Sequence, residues 1–290
     1  MAEALPADAR VTVVAGGGTL PGALVAHLRG RGIATSVLEL AGEAGPIDGR
    51  TLQLGNVEGI LRAFAEFRTT HAVLVGWVRK RPRIRDARLG RRSLAVAWSL
   101  ARALSRGDDS MLRAAISAIE AHGIQVVAVQ DVWPELLAEE GLTTQRWPTA
   151  NQLESAMRGI EAARAIGRFD TGQALVIFDR RIVALEGLEG TDEMLGRVAR
   201  LRDEGRIAVR GRAGLLVKVC KPGQDLRADL PTIGPATMVA CGTAGLAGVV
   251  VEAGRTLLLD RERSLAEAEQ LGLFVYGVRP AAEAAHGMIS

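Results

Sequence analysis

Lys218, Lys221, Gln224, Asp225, Arg227 and Asp229 fall within one run of twelve residues. These side chains share one chemistry: they grip oxyanions and hard cations. Two ammonium groups neutralise phosphoryl oxygens. Two carboxylates four positions apart offer oxygen ligands to Mg2+, an ion that prefers oxygen and retains several waters. Arg227 adds a planar fork, and Gln224 adds a donor for a bridging oxygen. The lysines carry extra weight. The chain has 36 basic side chains, of which only Lys80, Lys218 and Lys221 are lysine. Where a plain positive charge suffices, this sequence uses Arg, so Lys is retained mainly where a compact ammonium is needed. Pro222 and Gly223 before the acids and Pro231 after them interrupt any long helix, which puts both carboxylates on a loop. The competing reading is a basic strand edge that runs into a turn.

Two further strings could serve the same chemistry. Glu186, Glu189 and Asp192 recur at spacing three in Glu186-Gly187-Leu188-Glu189-Gly190-Thr191-Asp192, a glycine-broken turn before a predicted helix. Such a loop offers oxygen to a cation and N–H groups to phosphate; alone, it also reads as a helix entry capped by Thr191 or Asp192. This loop and the lysine run both follow predicted strands, so one sheet end can carry both. Near the N-terminus, Ala15-Gly16-Gly17-Gly18-Thr19-Leu20-Pro21-Gly22 follows the first predicted strand and opens the first helix, where backbone N–H groups meet phosphate. It departs from G-x-G-x-x-G because Pro21 stands at the third glycine. Glu39 lies where a ribose-binding acid would be expected. A tight strand-to-helix turn explains these glycines equally well.

The remaining motifs mostly exclude. His27, His71, His122 and His286 are isolated, and no H-x-H or H-E-x-x-H occurs, so a histidine-rich two-metal phosphoesterase lacks its ligands. Cys220 and Cys241 form no C-x-x-C pair and fit a reducing compartment. Residues 79–92 hold eight bases and one acid. They suit anionic lipid headgroups or attraction of a polyanionic substrate, or simply a solvated loop and helix start. With 3% aromatic residues, a net charge of +3 and no aromatics interleaved in that stretch, a nucleic-acid partner is not expected.

These residues need a scaffold, and 290 residues with 48% hydrophobic content can build more than one core. The pattern predicts strands over 11–15, 33–38, 72–75 and 124–129, and helices over 20–30, 57–67, 94–104 and 111–122. That alternation implies a parallel sheet covered by helices. Residues 133–151 read as irregular. Beyond them come a helix over 152–164, a hairpin of 174–178 with 181–185, a helix over 192–202 and a strand over 215–219. Residues 230–251 carry no charge over 22 positions, long enough to span a bilayer, but their Pro and Gly content favours a turn, a buried helix and a buried strand. A strand over 256–259, a helix over 265–271 and a strand over 273–278 complete the pattern. The expectation is an α/β chain: a Rossmann-like domain over 1–138, a linker over 139–151, a catalytic α/β domain over 152–280 and a frayed tail over 281–290. The first ten residues contain Glu3 and Asp8 and lack an apolar run, so no secretory signal is expected.

Taken together, A-G-G-G-T-L-P-G at 15–22, E-G-L-E-G-T-D at 186–192, K-V-C-K-P-G-Q-D at 218–225, R-A-D-L-P-T-I-G at 227–234 and G-L-A-G-V-V-V-E-A-G at 245–254 resemble the LpxI family of lipid A biosynthesis. The resemblance implies a Rossmann-like N-terminal domain, a C-terminal domain particular to the family, and Mg2+-dependent hydrolysis of UDP-2,3-diacylglucosamine. UMP and 2,3-diacylglucosamine 1-phosphate (lipid X) would result from attack of water at the α-phosphorus, with substrate in a cleft between domains. It implies catalytic roles for Lys218, Lys221, Asp225 and Asp229, and a metal set of Asp225, Asp229 and Glu189. Gly16, Gly17, Gly18, Leu20 and Pro21 would contact substrate from the first half, and Thr191, Gln224, Arg227 and Thr232 from the second. It further implies a cytoplasmic protein that makes transient contact with the inner-membrane surface, and it leaves a homodimer open.

Two other functions compete. An NAD(P)-dependent oxidoreductase would use the glycine loop and Glu39, but it leaves the lysine run unexplained. A non-catalytic sensor of a nucleotide-sugar or lipid would need the lysines but not the paired aspartates.

Overall fold

The computed structural model describes residues 5–43, 47–54, 56–78 and 108–280. The basic stretch at 79–92, the helix expected over 94–104, the tail at 281–290 and His286 lie outside the described residues. The chain divides into two compact units: Met1–Glu135 with Gln224–Asp229, and Leu136–Gly223 with Leu230–Ser290.

The first unit is the expected parallel-sheet domain. Strands β1 (Arg10–Ala15), β2 (Ala34–Leu40), β3 (Arg50–Leu52), β4 (His71–Val75) and β5 (Gln125–Val126) form one sheet in the order β3-β2-β1-β4-β5, and every pair is parallel. The order reverses between β1 and β4, the place where open α/β sheets leave a crevice beyond their strand ends. Helices α1 (Leu20–Gly30), α2 (Val57–Phe67), α3 (Asp108–Glu120) and the short α4 (Val129–Val132) belong to this unit. Phe64 of α2 and Ile116 of α3 share a buried cluster with Val14, Leu38 and Ala72. Helix α2 starts as its sequence dictates, with Asn56 accepting from the Gly59 N–H at 3.0 Å. Strand β3 was not expected, and the strand expected over 124–129 stops at Val126, giving way to α4.

The second unit is built on a mixed six-stranded sheet. Its strands are β6 (Gly141–Leu142), β7 (Ala174–Phe178), β8 (Arg181–Leu185), β9 (Leu215–Lys218), β11 (Gly248–Glu252) and β13 (Phe274–Val278), in the order β6-β13-β11-β9-β7-β8. Strands β10 (Thr232–Ile233) and β12 (Leu257–Leu258) form a separate parallel pair. Helix α5 (Ala150–Gly167) lies on one face, where Ala156, Ile160 and Ala163 pack on Leu175, Ile177, Leu215 and Val217. Helices α6 (Thr191–Asp203), α7 (Pro235–Thr243) and α8 (Arg261–Gln270) cover the other face, packing on Val176, Phe178, Leu216 and Val249 through Met194, Leu195, Met238, Cys241 and Ala268. Residues alternate between the two clusters along β7 and β9, as the two-residue period of a strand requires.

The uncharged segment at 230–251 resolves into β10, α7 and β11, and among the described residues no helix is long and apolar enough to cross a membrane. Residues 139–151, read from sequence as a linker, fall within the second unit and hydrogen-bond inside it. Val275 N–H donates to Thr144 Oγ1 at 3.0 Å, and Arg146 donates to the Gly272 carbonyl at 2.7 Å. Gln224–Asp229 was expected within the second half, whereas its contacts group it with the first unit.

Candidate active site

In the second unit three of the strings converge on Lys218. As the last residue of β9 it shares the face of Leu216, toward α6, and is 8% exposed. Its Nζ donates to Thr191 Oγ1 and to the Thr232 carbonyl, each at 3.0 Å. Thr191 opens α6 and passes the connection on, donating to Glu186 Oε1. Glu186 follows β8, is itself 8% exposed, and accepts the Gln173 N–H at 2.8 Å. The register explains the meeting. Ala174 lies opposite Lys218 on one side, and the Glu186 N–H donates to the Ala174 carbonyl on the other, so the ends of β8 and β9 share one edge. Among the described residues no carboxylate forms an ion pair with Lys218. The ammonium's direct partners are a hydroxyl and a carbonyl, with the Glu186 carboxylate one hydrogen bond further on, which leaves its third donor for an anion.

The sequence after β9 is held from below by a buried acid. Glu252, 1% exposed at the end of β11, accepts the Cys220 N–H at 2.9 Å and pairs with Arg164 of α5. The Cys220 thiol donates to the Arg255 carbonyl at 3.1 Å. Lys221 pairs with Asp170 at 2.6 Å. Thr232 contributes its carbonyl, while its hydroxyl donates to the Leu230 carbonyl at 3.1 Å.

The paired aspartates sit in the first unit. The Ala228 and Asp229 N–H groups both donate to the Asp225 carbonyl, at 3.2 and 3.3 Å. These bonds close one tight turn, which Asp225 caps by accepting the Arg227 N–H at Oδ1, 3.1 Å away. Arg227 grips Asp225 with its fork, Nε to Oδ1 at 3.0 Å and Nη2 to Oδ2 at 2.8 Å, and reaches Glu120 of α3 at 2.7 Å. The side-chain hydrogen bond from Arg227 holds the Asp225 carboxyl below the usual carboxylate range against the opposing effect of burial. Gln224 donates to Asp229, and Gln130 of α4 donates to the Leu226 carbonyl at 3.0 Å. Ala228 packs on the cluster of Phe64 and Ile116.

Several expectations change. Glu189 pairs with Arg197 of α6 at 2.9 Å, and among the described residues no group of three or more His, Cys, Asp or Glu could hold a metal ion. The N-cap of α6 is Gly190, in the left-handed region at φ 83, with neither Thr191 nor Asp192 in that position. The glycine loop is closely packed against the residues that follow β4. The Gly16 and Gly17 N–H groups donate to the Val75 and Trp77 carbonyls, each at 2.8 Å. A Cβ on Gly17 would lie 2.2 Å from Trp77 Nε1, and one on Gly18, at φ 102, would lie 2.7 Å from the same indole. Leu20 and Pro21 are buried in the first turn of α1. None of the described histidines neighbours the site strings in a hydrogen bond: His71 meets Thr70, His122 meets Ala118, and His27 stacks on Trp133. Sequence reasoning did not assign roles to Gln173, Glu252 or Asp170. Glu252 carried a signal, as the charge that ends the uncharged run from 230 to 251.

Asp225 and Asp229 match in number the one or two carboxylates that Mg2+ takes from protein, while Arg227 already engages both oxygens of Asp225. The buried Lys218 fits a phosphoryl oxygen. The chain matches the LpxI N-terminal domain over residues 10–136 and the LpxI C-terminal domain over residues 139–276. It is 37% identical over 279 residues to the UDP-2,3-diacylglucosamine pyrophosphatase LpxI of Caulobacter vibrioides, covering 93% of this chain and 98% of that one. Among solved structures, CobK precorrin-6A reductase is 17% identical with a TM-score of 0.31, covering 95% of this chain and 90% of that one. The Thermus thermophilus UDP-glucose 4-epimerase complex with NAD is 18% identical with a TM-score of 0.27, covering 94% and 86%. Scores this low carry no inference about fold or activity.

Proposed function

The chain belongs to the LpxI family, and from that premise we propose that it hydrolyses UDP-2,3-diacylglucosamine to UMP and 2,3-diacylglucosamine 1-phosphate (lipid X). The observation that supports a phosphate substrate independently of the relatives is Lys218, a buried ammonium facing Thr191 and Thr232 with no carboxylate as its direct partner among the described residues. In this reading water attacks the α-phosphorus, the bond from that phosphorus to the bridging oxygen breaks, and the β-phosphate leaves on the sugar. Lys218 and Lys221 neutralise charge that builds on the phosphoryl oxygens. Mg2+, when bound, would sit on Asp225 and Asp229 and polarise a phosphoryl oxygen as a Lewis acid. Arg227 keeps Asp225 in its carboxylate form. Gln224 orients Asp229.

A diacylated substrate resides in a bilayer, so the reading also assigns a cytoplasmic protein that contacts the inner-membrane surface during turnover. Incubation with UDP-2,3-diacylglucosamine and Mg2+ in oxygen-18 water tests it. UMP should appear, and UMP should carry the label. Label in lipid X would move the attack to the β-phosphorus, and absence of UMP would overturn the reading.

A further inference from the structure

Lys221 is held by a residue outside every string that the sequence analysis singled out. Its Nζ lies 2.6 Å from Asp170 Oδ1, and the two side chains are 11% and 33% exposed. Asp170 follows the end of α5 with φ 54, in the left-handed region that disfavours side chains other than those of Gly, Asn and Asp. The last turn of α5 is shaped around the same lysine. A Cβ on Gly167 would stand 3.3 Å from Lys221 Cα and 3.2 Å from Pro222 Cδ, so the helix end lies flush against this loop. Earlier on α5, Arg164 pairs with Glu252, which fixes the Cys220 N–H. Helix α5 therefore reaches the lysine loop three ways: Arg164 through Glu252, Gly167 by close approach, and Asp170 at the ammonium itself.

We propose that Asp170 is a positioning residue that aims the Lys221 ammonium at the phosphate of the substrate. The inference rests on the pyrophosphatase reading. A lysine stem has four rotatable bonds, and a charge-assisted hydrogen bond at its tip selects among their rotamers. An ammonium has three donors, so it can keep the carboxylate and still meet phosphoryl oxygens. A carboxylate beside a polyanion does not strengthen ground-state binding. Its contribution is to alignment, which is read in kcat rather than in KM.

Asp170→Asn separates the alternatives, because Asn tolerates the left-handed backbone as Asp does. The expected result is a kcat about tenfold lower, a KM that does not rise, and a Tm within about 2 °C of the parent protein. In a Lys221→Met background the same substitution should change kcat less than about twofold, since a positioning residue acts only through its lysine. If Lys221→Met leaves no measurable turnover, the same cycle is read on UMP affinity by calorimetry, with a change expected only when Lys221 is present. Unaltered kcat and KM in Asp170→Asn, a loss that adds in full to Lys221→Met, or a loss that tracks a large fall in Tm would overturn the proposal. Parent protein that releases no UMP would overturn the pyrophosphatase reading itself, while an active parent with an unaffected Asp170→Asn variant overturns the positioning role alone.

Discussion

Lys218 shows why charge alone does not define this site. Its ammonium meets Thr191 Oγ1 and the Thr232 carbonyl at 3.0 Å in a buried setting, and a guanidinium is too wide and too flat to take the same position. Lys218→Arg should therefore lower kcat/KM by more than about tenfold, roughly 1.4 kcal/mol of transition-state stabilisation, and activity within about threefold of the parent would reduce Lys218 to an ordinary charge. Asp229 shares its turn with Asp225 and accepts from Gln224. Asp229→Ala should leave a folded protein that binds UMP and does not turn over; parent-like kcat in that variant would remove Asp229 from the chemistry. The fork of Arg227 predicts a pH effect with a definite sign. Asp225 is held below its ordinary range, so the unfolded chain binds its proton more readily than the native one. The resulting stabilisation is complete above about pH 4, the ordinary Asp value, and is lost as pH falls through the lowered native value. The Tm difference between the parent and Arg227→Gln should be widest near neutrality and close on acidification. A difference that stays constant across pH would mean that the fork contributes packing alone.

At the scale of elements, the glycine loop makes its own prediction. A Cβ on Gly17 would enter the Trp77 indole at 2.2 Å, and the Gly17–Trp77 bridge joins the loops that follow β1 and β4. Gly17→Ala should destabilise the first unit by about 1–3 kcal/mol through overpacking. Thermal unfolding followed by tryptophan fluorescence would show it, and an unchanged Tm would mean that the indole moves aside freely. The sequence announced this loop and left two uses open, phosphate contact and a tight strand-to-helix turn. Glycines after a strand are legible, but which carbonyls take their N–H groups depends on a strand that arrives some sixty residues later. The hairpin of β7 and β8 and the limits of α1 and α2 were readable because turn chemistry and helical spacing are local. Strand β3, three residues long, offers too few positions for a period, and β5 was overread because buried apolar residues continue into α4. The convergence at Lys218 was half visible. The strings were present, and the meeting of Glu186 with Thr191 is local, but only the register between β7 and β9 brings Lys218 to that edge. Asp170 gave no signal, because its role depends on a left-handed backbone and on a distant lysine.

For the whole molecule, the membership of Gln224–Asp229 matters most. Arg227 bonds Glu120, Gln130 bonds the Leu226 carbonyl, and Ala228 packs with Phe64 and Ile116, all within the first unit. A fragment of residues 136–290 keeps Asp225 and Asp229 in its sequence yet loses the groups that shape their turn. It should have no measurable turnover, and turnover equal to the intact chain would show that the turn forms unaided. The same membership sets an order of events during translation. The first unit lacks six of its residues until the ribosome has passed Asp229, long after Glu135 has emerged. At roughly 5–20 residues per second, that interval lasts several seconds or more. Throughout it, the growing chain can close a parallel sheet but not the acidic turn, so the last piece of its N-terminal unit comes from the distal part of the messenger.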